Sequence, residues 1–205
     1  MLYLPKCLKS AARKAKVSAK NTISKGVDKA VAAAQTKKET FTFEKIPETV
    51  EEFKALPEAA QLTNPYATAA LTILAYAAYS KNSEEGIKMF NVLRGPVPFS
   101  NLDIQRTKES IWDGEQYIPM SYFEGATVDN NYTPAVPYKV TITSNSHSDD
   151  NLSSGYKRLF VRSAGADSER YMVFRTKAST KEWFLTEHSG ILLDIRKPKA
   201  ADPWA

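Results

Sequence analysis

The side chains best suited to nucleophilic, acid–base or metal chemistry are few: one cysteine, Cys7, and two histidines, His147 and His188. Ser146-His147-Ser148-Asp149-Asp150 holds the letters of a Ser-His-Asp triad. A working triad converges from separate segments onto a supported geometry, and these five residues are contiguous. They read as a solvated loop between strands. His188 falls at the end of a predicted strand with no second His or Cys nearby, so it reads as a surface or packing residue rather than a metal ligand. A calcium loop beginning at Asp150 needs oxygen ligands at its third and twelfth positions. Leu152 and Val161 stand there. Cys7 lies beside Lys6 and near Lys9, which would lower a thiol pKa in an exposed helix, but without a partner histidine it reads as a non-catalytic thiol. No G-x-G-x-x-G, phosphate-loop, G-x-S-x-G or H-E-x-x-H string occurs. The sequence predicts no catalytic residue, no metal set and no cofactor.

Two stretches carry binding chemistry instead. Lys9, Arg13, Lys14, Lys16 and Lys20 suit contact with an anionic surface, either nucleic-acid phosphates or anionic lipid. The same stretch lacks the aromatics that stack on bases. Residues 115–137 run without clear periodicity and hold Tyr122, Phe123 and Tyr132. Long loops without internal structure are often functional, so these three rings are candidates for ligand or partner contact. The competing expectation, and the favoured one, is that they pack on the core. Gly125 would then allow a tight bend, and Asn130-Asn131 a turn.

The elements that must position these residues are legible in part. Residues 6–38 are rich in Ala and Lys, with a thin apolar face at helical spacing and Gly26 inside it, and so read as a fraying helix or disordered arm. Phe41-Thr42-Phe43-Glu44 alternates like a short strand. Thr49 with Glu52 forms a capping box, Val50, Phe53 and Leu56 share one face, and Pro57 ends the segment. Asn64-Pro65 starts a helix 65–80 that is apolar nearly all round, the pattern of a buried central helix. Ser83 caps a second helix, 84–94, which Gly95-Pro96 stops, and the two form an αα-hairpin. Ser100 and Asp103 cap a helix 101–112. From Tyr138 the period switches to two. Strands are predicted from Tyr138, over 156–163, over 170–177 and over 182–187, with Ile191 to Ile195 as an added edge strand. Helices followed by strands give an α+β fold: a helical layer, the αα-hairpin plus flanking helices, packed on a C-terminal antiparallel β-meander.

The 205 residues suffice for one domain and an appendage. The formal charge of +5 conceals a split. Residues 1–38 carry ten Lys/Arg against one acid, Asp28, a net of +9, and residues 39–205 carry 18 against 22, a net of −4. A cationic arm, 1–38, on a mildly acidic domain, 39–205, is the organisation that follows. The most apolar run, Pro65 to Tyr79, is too short for a membrane span. One cysteine and no signal-peptide pattern point to a cytoplasmic location, although the arm also has the composition of an organellar transit peptide.

Residues 41–204 resemble a bacterial family of uncharacterised single-domain proteins. The strings that carry the resemblance run from Ile46-Pro47-Glu48-Thr49-Val50 to Leu56, then Asn64-Pro65 with its Ala-rich helix. Ser121-Tyr122-Phe123-Glu124-Gly125-Ala126-Thr127, Asn130-Asn131-Tyr132-Thr133-Pro134 and Asp194-Ile195-Arg196-Lys197-Pro198 through Asp202-Pro203-Trp204 complete it. The resemblance implies a single domain of bacterial origin and no activity. Read together, these features assign no molecular function. They favour a non-catalytic binding or interaction module whose arm docks on an acidic protein, an anionic membrane surface or nucleic acid. The alternatives are an enzyme whose site is assembled from dispersed residues, and a nucleic-acid-binding protein acting through the arm.

Overall fold

A capped, largely apolar segment organises everything else. The computed structural model describes residues 36–60, 62–111 and 115–204. Cys7 and the arm residues Lys9, Arg13, Lys14, Lys16 and Lys20 lie outside the described residues. Among the described residues six helices precede the C-terminal strands: α1 (Val50–Lys54), α2 (Pro57–Ala60), α3 (Pro65–Tyr79), α4 (Ser83–Arg94), α5 (Asn101–Ser110) and α6 (Tyr117–Met120). In α3 the Asn64 side chain accepts from the Tyr66 amide at 2.9 Å, and Pro65 occupies the first helical position, where its missing N–H costs nothing. Every α3 residue after Pro65 is buried, so the helix has no solvent face. Its two internal threonines are satisfied: Thr72 donates to the Thr68 carbonyl at 2.8 Å, and Thr68 donates to the carbonyls of Asn64 and Trp183.

The strands β1 (Lys38–Phe43), β2 (Tyr138–Thr143), β3 (Tyr156–Val161), β4 (Arg170–Thr176) and β5 (Trp183–Glu187) form one antiparallel sheet in the order β1-β2-β3-β4-β5. This is the α+β arrangement, with helices in the N-terminal half and a C-terminal meander. The N-terminal strand closes one edge by pairing with β2 from Lys38↔Thr143 to Phe43↔Tyr138. The inward set of Val140, Ile142, Leu159, Val161, Met172, Phe174 and Leu185 is buried against the helical layer, and α3 crosses that face touching β1, β2, β3 and β5. The αα-hairpin packs closely because Gly86 carries no Cβ. One placed there would overlap the Tyr79 backbone.

Several local expectations need correcting. Thr49 does cap α1, accepting from the Glu52 amide at 3.3 Å, but the Glu52 carboxylate accepts from the Glu48 amide and from Lys45 rather than closing a reciprocal box. Pro57 ends α1 and also opens α2, since a proline tolerated at a first helical position both stops and starts. Asn82, not Ser83, caps α4: its extended backbone precedes the first helical residue, Ser83, and its side chain accepts from the amides of Glu84 and Glu85. The loop 115–137 contains α6. The predicted edge strand Ile191–Ile195 is instead a 3₁₀ turn, Ser189–Leu192, in which the Ile191 amide bonds back to His188 and carries Ile191 and Leu192 into the core.

Candidate functional site

Four elements, α3, α4, α5 and β5 with the residues that follow it, bring side chains to one cavity of about 180 Å3, lined by Tyr76, Arg94, Asp103, Arg106, Thr107, Ser110, Thr186, Glu187, His188 and Leu192. From α3 comes Tyr76, fully buried, whose hydroxyl is hydrogen-bonded to Nδ1 of His188. His188 sits just past β5 and is 8% exposed. Burial, reinforced by the nearby Arg94 guanidinium, pushes its pKa down from 6.5 to about 4, so the ring is neutral at pH 7. Burial raises the Tyr76 hydroxyl well above its ordinary value, so it keeps its proton. Tyr76 Oη therefore donates and Nδ1 accepts, which places the imidazole proton on Nε2; the opposite arrangement would leave the hydroxyl proton without an acceptor. Nε2 has no hydrogen-bond partner among the described residues. The ring lies nearly parallel to Phe99, 5.3 Å away at 12°, and to Phe90, 6.0 Å away at 18°, two rings that stack on each other at 4.7 Å.

Arg94 ends α4 with its side chain 11% exposed. It donates from Nε to the Val97 carbonyl at 3.1 Å, reaches Thr186 O at 3.5 Å, and lies 3.6 Å from Asp103 Oδ2. On α5 the residues Asp103, Arg106, Thr107 and Ser110 are spaced i, i+3, i+4, i+7 and so share one face. Asp103 belongs to a capping box: Oδ2 accepts from the Ser100 amide and hydroxyl at 3.0 and 2.8 Å. Burial alone would raise its pKa. The Ser100 hydrogen bonds and Arg94 outweigh that and hold the carboxyl below its ordinary value. Glu187 accepts from the Tyr171 hydroxyl at 2.8 Å. The lining carboxylates are thus engaged, while Arg106 makes no ion pair or hydrogen bond among the described residues.

The residues singled out from sequence lie elsewhere. Tyr122, Phe123 and Tyr132 are 3%, 2% and 2% exposed. Tyr122 donates to Ile191 O at 2.5 Å and Tyr132 to Arg196 O at 2.9 Å. Tyr122 and Phe123 also border an open depression of about 400 Å3 with Lys38, Glu124, Arg162 and Glu169. Within Ser146–Asp150, His147 lies 3.1 Å from Asp150, both side chains more than half exposed, as expected of a solvated loop. His188 was read as a surface or packing residue; it packs, but as one wall of the cavity. The α5 stripe was missed. The spacing of Asp103, Arg106, Thr107 and Ser110 is visible in the sequence, but nothing there distinguishes it from an ordinary solvated helix face. Among the described residues no group of three or more His, Cys, Asp or Glu could hold a metal ion, and no helix is long and apolar enough to cross a membrane.

A family model described as Domain of unknown function (DUF6935) matches residues 45–199. The chain belongs to this family. The DUF6935 match starts before α1 and runs past the Ser189–Leu192 turn, so it spans α3, α4, α5 and His188, every element that builds the cavity. No curated protein and no solved structure matches the chain.

Proposed function

We propose that this DUF6935 protein is a non-catalytic binding module whose cavity takes a small anionic molecule, one carrying a carboxylate or phosphate group. The observation that carries the reading is the imbalance of partners around the cavity. Asp103 and Glu187 already accept hydrogen bonds, whereas Arg106 and His188 Nε2 have no partner among the described residues. A volume of about 180 Å3 lies below the ~300–1,000 Å3 of sites for drug-sized ligands, so the guest is small. His188 itself is a poor candidate for a general base. A base with a pKa of about 4 is poorly matched to proton transfer near neutrality.

Titration calorimetry and thermal melting with inorganic phosphate, acetate and succinate test this directly. Binding to the native state raises the melting temperature with ligand concentration. The expected result is such a rise for at least one probe, abolished by Arg106→Ala. A shift unchanged in that variant, or none with any of the probes, would sink the reading.

The +9 against −4 charge split supports a second element of function. The cationic arm read over residues 1–38, less Lys38, which opens β1, docks the globular domain on an acidic protein, an anionic membrane surface or nucleic acid, in a reducing, cytoplasmic setting. Replacing Lys9, Arg13, Lys14, Lys16 and Lys20 by Gln should abolish salt-sensitive retention on anionic vesicles and on polyanions. Undiminished retention would remove the arm from the account.

A further inference from the structure

The outer face of the sheet carries a pattern that the cavity does not explain. On β3 the outward residues are Tyr156, Arg158 and Phe160; on β4 they are Tyr171, Val173 and Arg175. The register sets Tyr156 opposite Arg175, Arg158 opposite Val173, and Phe160 opposite Tyr171. The Arg175 guanidinium lies 5.3 Å from the Tyr156 ring centre and that of Arg158 lies 4.8 Å from the Tyr171 ring. Tyr171 is 38% exposed, and Tyr156 and Phe160 are half-buried. Arg162, just past β3, is exposed beyond Phe160, and Lys139 is exposed farther along β2. None of Lys139, Arg158, Arg162 and Arg175 makes an ion pair among the described residues. Glu187 is the acid that lines the same depression as Arg158, and it accepts from the Tyr171 hydroxyl at 2.8 Å; even so, on a domain whose net charge is −4 the cations outnumber it on this face.

We propose that the outer face of β3 and β4 is a docking platform for single-stranded nucleic acid. The chemistry selects this partner over others. Aromatic rings on a flat sheet offer stacking surfaces that any base can use, because every base has a π-face. The arginines beside them hold planar, charged groups where phosphates pass, and Arg pairs with phosphate bidentately. An acidic peptide would use the cations and leave the rings idle. A duplex is read by an element that enters its groove, and a flat sheet face presents none.

The test is fluorescence anisotropy of the full-length chain with a labelled oligothymidylate of about 15 nucleotides. Because residues 1–38 contribute ten cations of their own, the substitutions rather than bare binding decide the matter. Arg158→Ala, Arg175→Ala and Tyr171→Ala are each expected to weaken binding about tenfold at fixed salt. Each arginine change should also lower the slope of log affinity against log salt by about one. Tyr171→Phe keeps the ring and should keep the affinity. These side chains sit on the solvent side of the sheet, and a thermal melt of each variant checks that it is folded. Wild-type affinity in the Arg158→Ala/Arg175→Ala double variant would assign binding to the arm and overturn the proposal. No binding of the oligonucleotide would overturn it too. So would arginine-dependent binding of polyglutamate or anionic vesicles with oligonucleotide affinity unaffected.

Discussion

The Tyr76 hydroxyl and Nδ1 of His188 meet across 112 positions of sequence and tie the central helix to the end of the sheet. Both groups are buried, so each depends on the other for its hydrogen bond. Tyr76→Phe removes the donor and leaves Nδ1 unsatisfied, and should cost about 1–3 kcal/mol. A double-mutant cycle with His188→Gln, read by urea unfolding, should give a coupling energy of about 1 kcal/mol or more. Strict additivity would mean that the two residues act independently.

The depressed pKa of His188 fixes the sign of a pH effect. The unfolded ring titrates near 6.5 and the folded one at about 4, so between those values the unfolded state binds more protons. Stability is therefore full above pH 6.5 and falls as the pH drops toward 4, by roughly 3 kcal/mol from this residue once both forms are protonated. Unfolding free energies measured from pH 7 to 4 should show that decline, and His188→Gln should flatten it between pH 6.5 and 5, above the range where ordinary carboxylates dominate.

Gly86 separates helix propensity from packing. In an isolated helix Gly→Ala stabilises by about 1 kcal/mol. Here the added Cβ overlaps the Tyr79 backbone, so Gly86→Ala should destabilise by about 1–3 kcal/mol, as overpacking does. A raised denaturation midpoint would show that α3 and α4 can move apart at no cost.

The rings of the 115–137 segment serve the core. Tyr132 is 2% exposed, stacks on Tyr117 at 5.5 Å and bonds Arg196, and Gly165 leaves room for its hydroxyl. Tyr132→Ala should lose about 3 kcal/mol or more, the cost of truncating a large buried aromatic. Hydrogen exchange should find the Tyr132 amide, bonded to Thr127 O at 2.8 Å, protected from solvent. Fast exchange with unchanged stability would return the loop to the binding candidates.

The parts of this fold that were legible in sequence are those set by short-range chemistry. Asn64-Pro65 and a run apolar nearly all round suffice to place α3 in the core, and strict alternation from Tyr138 suffices for β2. Ile191 and Leu192 are also apolar, yet they enter the core through a turn. A hydrophobic pair carries no record of the backbone that delivers it. The cavity was illegible for a related reason. Its groups come from α3, α4, α5 and the residue after β5, and only the packing of α3 on β5 brings His188 to Tyr76. The neutral state of His188 is likewise a product of burial and of Arg94, neither of which its neighbours in sequence announce.

The bulge between β4 and β5 gives the molecule a shared wall. Val173 pairs with Glu187 and Phe174 with Leu185, so Thr186 is the unpaired residue between them, its hydroxyl bonded to Val173 O at 2.9 Å. Thr186 and Glu187 line the cavity on one side and an outer depression with Tyr156, Arg158 and Val173 on the other. A guest on either side meets the same two side chains. If filling the cavity draws Glu187 away from the Tyr171 hydroxyl, the platform residue beside Arg158 loses its tether. Any preference that one occupant then imposes on the other must be returned in equal measure, because linkage between two binding equilibria is reciprocal.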